Sequence, residues 1–597
     1  MQTAEVVLEV LRERGRKGLP CDELYRQMFN RDLYLRAYGS IYSNKGAMTP
    51  GTDGRTADGT SVAMVDRIIG EMRLERYRFS PARRVYIPKR NGKLRPLGVP
   101  TWADKLTGEV VRMLLEAYYE PQFSGNSHAY RPGKGCHTAL RDVQNTWTGV
   151  AWFVEGDISG CFDNIDHEIL LGILAEKIHD QRFLRLIRNM LKAGYLEDWE
   201  FHETLSGTPQ GGVVSPVLCN IYLDKLDNYI EAKVIPKYTR GKTRKPNPAM
   251  AALSSRRYTA RKNGNVSKAR EILGQMRKIP SMDPEDPGYR RLRYTRYADD
   301  VLLGFNGPKA EAEQIRSEIG DFLRGTLALE LNPAKTLITH ASTKSARFLG
   351  YEITVQHANT KITKSKKRPN GRRSANGRIA LRVPGDVIKA KCARYREHGK
   401  PWPRTRLQNL DDYDIVGIYG AEYRGIVNYY LLAHNVCDLA VLRWNAETSM
   451  LKTLAAKHKS TVSKMAVKHK AVIETSHGKR TCFEARKERD GKRELTARFG
   501  GIPLKRDRKA IINDPKLTRT LPLPREITRR IQKHWCELCE QAARVEVHQV
   551  AKLADLGTKG PGQPPWAALM MKKRRKTLIV CAPCHDYIHA KPATLAA

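Results

Sequence analysis

Two acidic sites in this chain stand where carboxylates alone would be costly. In "RYTRYADDVLLGF", Arg293 to Phe305, the adjacent Asp299 and Asp300 interrupt a stretch that alternates like a buried β-hairpin. Neighbouring carboxylates repel each other and resist burial unless a cation neutralises them or water covers them. In "AWFVEGDISGCFDNIDHEILL", Asp157 ends an apolar run that predicts a buried strand. Carboxylates at a strand end and on a nearby hairpin turn can ligate two divalent ions about 4 Å apart, as polymerase chemistry requires. Hard oxygen donors of this kind suit Mg2+. Phe162, a few residues beyond Asp157, is an aromatic placed to stack under an incoming sugar. For Asp299-Asp300 taken alone, an exposed turn is the competing reading.

A second set of chemical groups lies near the C-terminus. Cys536 and Cys539 in "WCELCE", with Cys581 and Cys584 in "VCAPCHDYIHA", form two CxxC pairs. That pattern satisfies tetrahedral zinc, and a span this short struggles to bury a core without metal. The other seven cysteines are scattered singly, as buried reduced thiols are. Around the pairs stand His548 in "VEVHQV" and His585 and His589, the last two sharing one helical face. His534, beside Trp535, reads as structural.

These residues need elements to position them. At 597 residues the chain is too long for one core, and its 41% apolar content can fill several. The formal net charge of +42 points to a polyanion, and nucleic acid is the usual one. No apolar run of membrane-spanning length and no signal pattern is evident, so a soluble intracellular protein without a membrane partner is expected. Residues 1–365 mix helical and strand patterns, broken by a basic insertion at 235–294 with sixteen Lys/Arg against four Asp/Glu, partly helical around 266–278. Residues 361–378 hold eight basic residues and no acidic one, a linker or an arm that touches nucleic acid. Helical periodicity returns from about 384 to 475, and 476–530 is again basic, with seventeen Lys/Arg against seven Asp/Glu.

Seven blocks in order resemble the catalytic core of a reverse transcriptase. "DISGCF" (157–162) and "YADD" (297–300) look like its two acidic motifs. "IPKRNGKLRPLGVP" (87–100) is similar to the finger segment that grips the triphosphate, with Lys89 and Arg95 as contacts. "HAYRPGKGCHTAL" (128–140) precedes the first aspartate, and "GTPQGGVVSPVLCNIYLDKLD" (207–227) carries Gln210, which would line the nucleotide pocket. "LELNPAKT" (329–336) and "RFLGYEI" (347–353) complete the palm, with Lys335 near the primer end or the triphosphate. The resemblance implies that Asp157, Asp299 and Asp300 ligate Mg2+ and that Phe162 screens the sugar 2′ position.

"NKGAMTPGTDG" (44–54) and "GTPQGGVVSP" resemble the proteins encoded by mobile group II introns. "YRGIVNYY" (423–430) and "TLAAKHKSTVSKM" (453–465) resemble their maturase, or X, domain, which serves as thumb and binds intron RNA. Arg424 and Lys457 are the expected RNA contacts, whereas Tyr423, Tyr429 and Tyr430 read mainly as a helical core stripe. The cysteine and histidine cluster resembles the ββα-metal (HNH) endonuclease module of that family. Its strand carries two adjacent histidines, a metal ligand and a general base. Here His548 fills the first place and Gln549 the second, and glutamine cannot accept a proton at neutral pH. A divalent ion on His548, His585 and His589 is compatible with this, and so is a zinc-stapled DNA-binding module.

The implied architecture is multidomain α+β. Right-hand fingers and palm span 1–365, and an α-helical thumb spans 366–475. A basic DNA-binding segment, 476–530, leads to a zinc-stapled HNH-type domain, 531–597. The implied function is an RNA-directed DNA polymerase and splicing maturase. It would act with intron RNA, target DNA and dNTPs in retrohoming, in the bacterial cytoplasm and on the nucleoid. A splicing-only RNA-binding factor and a retron-type or defence reverse transcriptase are the alternatives. The latter typically lacks the X domain and the zinc appendix.

Overall fold

The computed structural model describes residues 2–88, 92, 94–197, 200–202, 207, 212–358, 361–365, 368–488, 494–512, 526–556 and 563–590. At its centre a four-stranded antiparallel sheet runs in the order Arg291–Tyr297, Asp300–Asn306, Trp152–Asp157, Leu337–His340. The apolar run before Asp157 forms its inner strand because both faces are covered. Phe153 and Leu302 pack toward the thumb core, whereas Val154, Val301 and Leu303 face a core shared with the helices Ser215–Tyr229 and Lys309–Leu327.

The fingers combine helices with a second sheet in the order Leu94–Val99, Ala82–Pro88, Tyr195–Glu197, Glu200–His202. Helix Trp102–Tyr119 lies among the N-terminal helices, capped by Thr101 through Asp104 N–H. Asp104 in turn accepts from the Tyr77 hydroxyl at 2.8 Å. Gly207 must be glycine: its φ is +88°, and a Cβ there would lie 2.6 Å from the Asp163 carbonyl.

The basic insertion is a helical hairpin, Pro248–Lys262 against Val266–Met276, with a small core of Ala260, Ala269 and Ile272. Its first helix was not anticipated from the sequence. The strand Arg291–Tyr297 begins inside the stretch assigned to the insertion.

The thumb contains the helices Gly385–Ala393, Asp412–Tyr430, Ala440–Lys457 and Val462–His469. An expectation needs correction here. Helical pattern was expected to continue to 475, and 476–530 was read as one separate basic segment. Instead Lys470–Thr475, Gly478–Lys487 and Leu495–Gly500 form an antiparallel sheet that packs on helix Asp412–Tyr430. Ala485, Ala497 and Phe499 are buried in the thumb core, while the outward phase of these strands carries the positive charge. A Cβ at Gly420 would lie 2.1 Å from the Arg498 carbonyl oxygen, so only glycine permits this close seat. Tyr429 and Tyr430 hydroxyls donate to the carbonyls of Leu349 and Gly350 at 2.6 and 3.0 Å, tying thumb to palm.

The C-terminal module is a ββα unit: Val545–Gln549 pairs with Thr577–Cys581, followed by helix Ala582–Ala590. It does not stand apart. Thr60 and Ser61 of the fingers pair with Val547 and Glu546, and Val545, Val547 and Ile579 join the fingers core.

Candidate polymerase centre and C-terminal metal cluster

Strand register brings the first acidic site to the second. Asp157 lies directly opposite Asp300, and Asp299 occupies the adjoining turn after Ala298, whose φ of 55° is left-handed. The Ile158 N–H donates to the Asp299 carbonyl at 3.3 Å, which fixes the turn against the neighbouring strand end. Burial pushes Asp300 up to about 6, and the charges of Asp299 and Asp157 add to it. Asp299 is also raised, by burial first; its own backbone N–H opposes this and Asp157 reinforces it. Lys335 Nζ lies 2.8 Å from Asp157 Oδ2, and the Asn332 N–H donates to the Asp157 carbonyl at 2.8 Å. Three half-buried carboxylates this close, with burial and neighbouring charge raising Asp299 and Asp300, fit a hard divalent cation.

A buried arginine supports the turn. Arg296 and Asp227 are both fully buried and paired at 2.6 and 2.8 Å. Arg296 also donates to Ser127 Oγ at 2.9 Å and to the Ala298 carbonyl at 3.0 Å. Sequence reasoning missed this pair. Its signal was the alternation itself, which puts Arg296 on the same inward face as Leu292 and Tyr294, where a charge needs a partner.

An open cleft of about 460 Å³ is lined by Arg95, Tyr130, Asp157, Phe162, Asp299 and Lys335, among others. The expected triphosphate and sugar contacts Arg95 and Phe162 thus share one space with two of the aspartates. Phe162 meets Tyr130 edge-on at 6.3 Å. Lys89 and Gln210 lie outside the described residues.

On the thumb, Arg424 is exposed, with one weak contact to the Arg498 carbonyl at 3.3 Å. Lys457 is paired within the thumb: its ammonium is 2.8 Å from Asp412 Oδ1 and from the Leu410 carbonyl. His458, Lys468 and His469 crowd the same carboxylate. Burial raises Asp412, but Lys457 and His458 outweigh it and hold the group down at about 2. Lys457 therefore clamps two thumb helices together. Tyr423 is buried, as a core stripe requires.

In the C-terminal module, the sulfurs of Cys536, Cys539, Cys581 and Cys584 all lie within 4.8 Å of one another. Cys539 and Cys581 sulfurs are 3.8 Å apart. Tetrahedral zinc with bonds of about 2.3 Å sets sulfurs about 3.8 Å apart, so the four fit that ion. Burial raises the Cys536 thiol, but the N–H groups of Cys539, Cys581 and Leu538 outweigh it and bring the thiol down to about 7. Thiolate is the form that binds metal.

The three histidines also converge, and a residue from the fingers joins them. Asp58 contributes a carboxylate oxygen within 4.8 Å of ring nitrogens of His548, His585 and His589. Burial raises Asp58, yet the imidazoles of His548 and His585 outweigh it and hold the carboxyl below its ordinary range. Nothing local in "TADGT" marks Asp58 in the sequence; only the fold shows it. Gln549 is buried, its side-chain amide donating to the Tyr42 carbonyl at 2.8 Å and its backbone N–H to Asp58 Oδ1 at 2.6 Å. The base position thus holds a structural amide.

A sheet that sets three carboxylates beside a nucleotide-sized cleft defines a nucleic-acid polymerase palm. Residues 87–353 match the reverse transcriptase (RNA-dependent DNA polymerase) family, 384–504 the type II intron maturase family and 536–585 the AI2M/AI1M-like HNH endonuclease family. The group II intron-encoded protein LtrA of Lactococcus lactis subsp. cremoris is 36% identical, over 98% of this chain and 99% of its own length. An uncharacterised 91 kDa protein in the cob intron of Schizosaccharomyces pombe is 35% identical over 96% of this chain and 70% of its own length. A putative COX1/OXI3 intron 2 protein of Saccharomyces cerevisiae is 32% identical over 93% of this chain and 65% of its own length. The chain belongs to the group II intron-encoded proteins, as an RNA-directed DNA polymerase and maturase with an HNH-like domain. Reverse transcriptases use Mg2+, and among the described residues no helix is long and apolar enough to cross a membrane.

Proposed function

We propose that Asp157, Asp299 and Asp300 hold two Mg2+ ions and that the chain copies its intron RNA into DNA from a primer at the target site. The observation that carries this is the register that sets Asp157 opposite Asp300 with Asp299 on the adjoining turn. Bound there, the ions activate the primer 3′-hydroxyl and stabilise charge on the triphosphate of a dNTP. Lys89 and Arg95 neutralise the triphosphate, Gln210 lines the nucleotide pocket, and Phe162 screens the sugar 2′ position. Lys335, now paired with Asp157, moves to the primer end or triphosphate once metal takes that carboxylate.

Intron RNA lies on the thumb, with Arg424 as a backbone contact. Target DNA is met by the basic stretch 476–530, where Lys505, Arg508 and Lys509 are exposed beyond the thumb sheet. Cys536, Cys539, Cys581 and Cys584 hold structural zinc, and His548, His585 and His589 hold a second divalent ion. With Gln549 in the base position, DNA cleavage there is slow, and the module acts first as a DNA-binding unit.

Separating chemistry from scaffolding tests this reading. Asp299→Ala should abolish cDNA synthesis on a primed RNA template while intron binding and splicing persist. Equal loss of splicing would contradict the division of labour.

A further inference from the structure

Asp58 and the three histidines come from opposite ends of the chain, yet their spacing is that of ligands around one ion. His548 Nδ1 lies 3.2 Å and His585 Nε2 3.3 Å from Asp58 oxygens. His589 Nε2 is 2.9 Å from Asp58 Oδ2 and 3.2 Å from His585 Nε2. Bonds of about 2.0–2.1 Å in a tetrahedron put neighbouring ligand atoms about 3.3–3.4 Å apart, close to these edges.

Two further observations point to a ligand. His548 is only 5% exposed, and neither of its ring nitrogens makes an aligned hydrogen bond, although Nδ1 is near Asp58. Buried imidazoles without partners are costly. His585 Nδ1 is 2.6 Å from Glu546 Oε1, which leaves Nε2 facing the cluster. A carboxylate behind an imidazole is the usual outer support of a metal-binding histidine.

The geometry points to Asp58 as the fourth ligand of the ion held by His548, His585 and His589, forming a site that bolts the C-terminal module to the fingers. This rests on the three-histidine reading given above. The ion is of the zinc class, with imidazole nitrogens and one carboxylate in a tetrahedral set. The pairing of Thr60 and Ser61 with Val547 and Glu546 delivers Asp58 to the cluster. Four protein ligands close the coordination shell, whereas hydrolytic zinc sites keep a position open for water. The docked module is therefore a resting state, and a DNA phosphate reaches the ion only after Asp58 leaves.

Native mass spectrometry of the full-length protein at buffered free zinc counts the ions, and hydrogen exchange reports docking. Wild type should carry two ions per chain, one on the cysteines and one on the cluster. Asp58→Asn keeps nearly the same shape but loses the anion. It should keep the cysteine-bound ion and need at least tenfold more free zinc for the second. In wild type, protection of the amides at 545–549 should rise with the second ion; in Asp58→Asn it should not. Unchanged affinity and protection in Asp58→Asn would remove Asp58 from the site and leave the three-histidine reading standing. A wild-type protein that binds only one ion would overturn both.

Discussion

Arg296 donates from Nη1 to the carbonyl of Ala298 at 3.0 Å, holding the backbone of the residue that precedes Asp299. The same guanidinium is locked by Asp227, with both side chains fully buried. The position of the turn that carries Asp299 is thus set by a fully buried ion pair.

Removing one partner exposes the cost. Asp227→Ala strands Arg296 and should destabilise the palm by about 3–5 kcal/mol, seen as lost exchange protection in the strands around 291–306. The pair Arg296→Met with Asp227→Leu should recover most of that stability. It leaves the Ala298 carbonyl unheld, so cDNA synthesis should stay down by about tenfold or more. Recovery of full activity in the double variant would show that the pair serves stability alone.

Protonation of the half-buried His434 should weaken the contact between palm and thumb. His434 accepts from Leu381 N–H at 3.2 Å and meets Gln356 Nε2 at 3.0 Å. Burial, aided by Arg506, pushes His434 down to about 4 from an ordinary 6.5. Between those values the unfolded chain binds a proton that the native chain refuses. Stability should therefore fall as pH drops from about 6.5 toward 4, with no further loss from this group below 4. Denaturation midpoints at pH 7.5 and pH 5 should differ more for wild type than for His434→Gln. Equal differences would mean that other groups carry the effect.

Arg424 offers a test of the RNA surface. Arg424→Ala should weaken intron RNA binding and reduce the slope of log affinity against log salt by about one phosphate contact. Primer extension on an unrelated template should be unchanged. An unaltered slope would take Arg424 off the RNA.

Metal removal should act locally. Cys536→Ser with Cys539→Ser should lose the cysteine-bound zinc and the exchange protection of helix Ala582–Ala590. Protection of the palm strands and cDNA synthesis should survive, because Val154, Val301 and Leu303 pack with the helices Ser215–Tyr229 and Lys309–Leu327, whereas Cys536 and Cys581 sit in a separate core. Loss of cDNA synthesis would show that the polymerase depends on the module.

How far the sequence carried this account depends on the range of each signal. Asp157, Asp299 and Asp300 were legible because ordered local motifs flank each of them. The cysteine quartet was legible from spacing alone. Helix Pro248–Lys262 was not, since its single buried residue gives little amphipathic pattern; the Asn247 cap with proline at the first turn was the available clue. The strands at 470–500 were hidden by charge, because their outward Lys and Arg dominate the composition while Ala485, Ala497 and Phe499 face in. Asp58 was beyond reach, because its meaning comes from a strand pairing with residues at the far end of the chain.

The most direct measurement is anomalous scattering from Mn2+ in crystals of the protein with a primed RNA template and a non-reacting dNTP. Two manganese peaks about 4 Å apart, each in contact with carboxylate oxygens from the Asp157 and Asp299-Asp300 sites, are the expected result. A single peak, or peaks away from these side chains, would contradict the assignment.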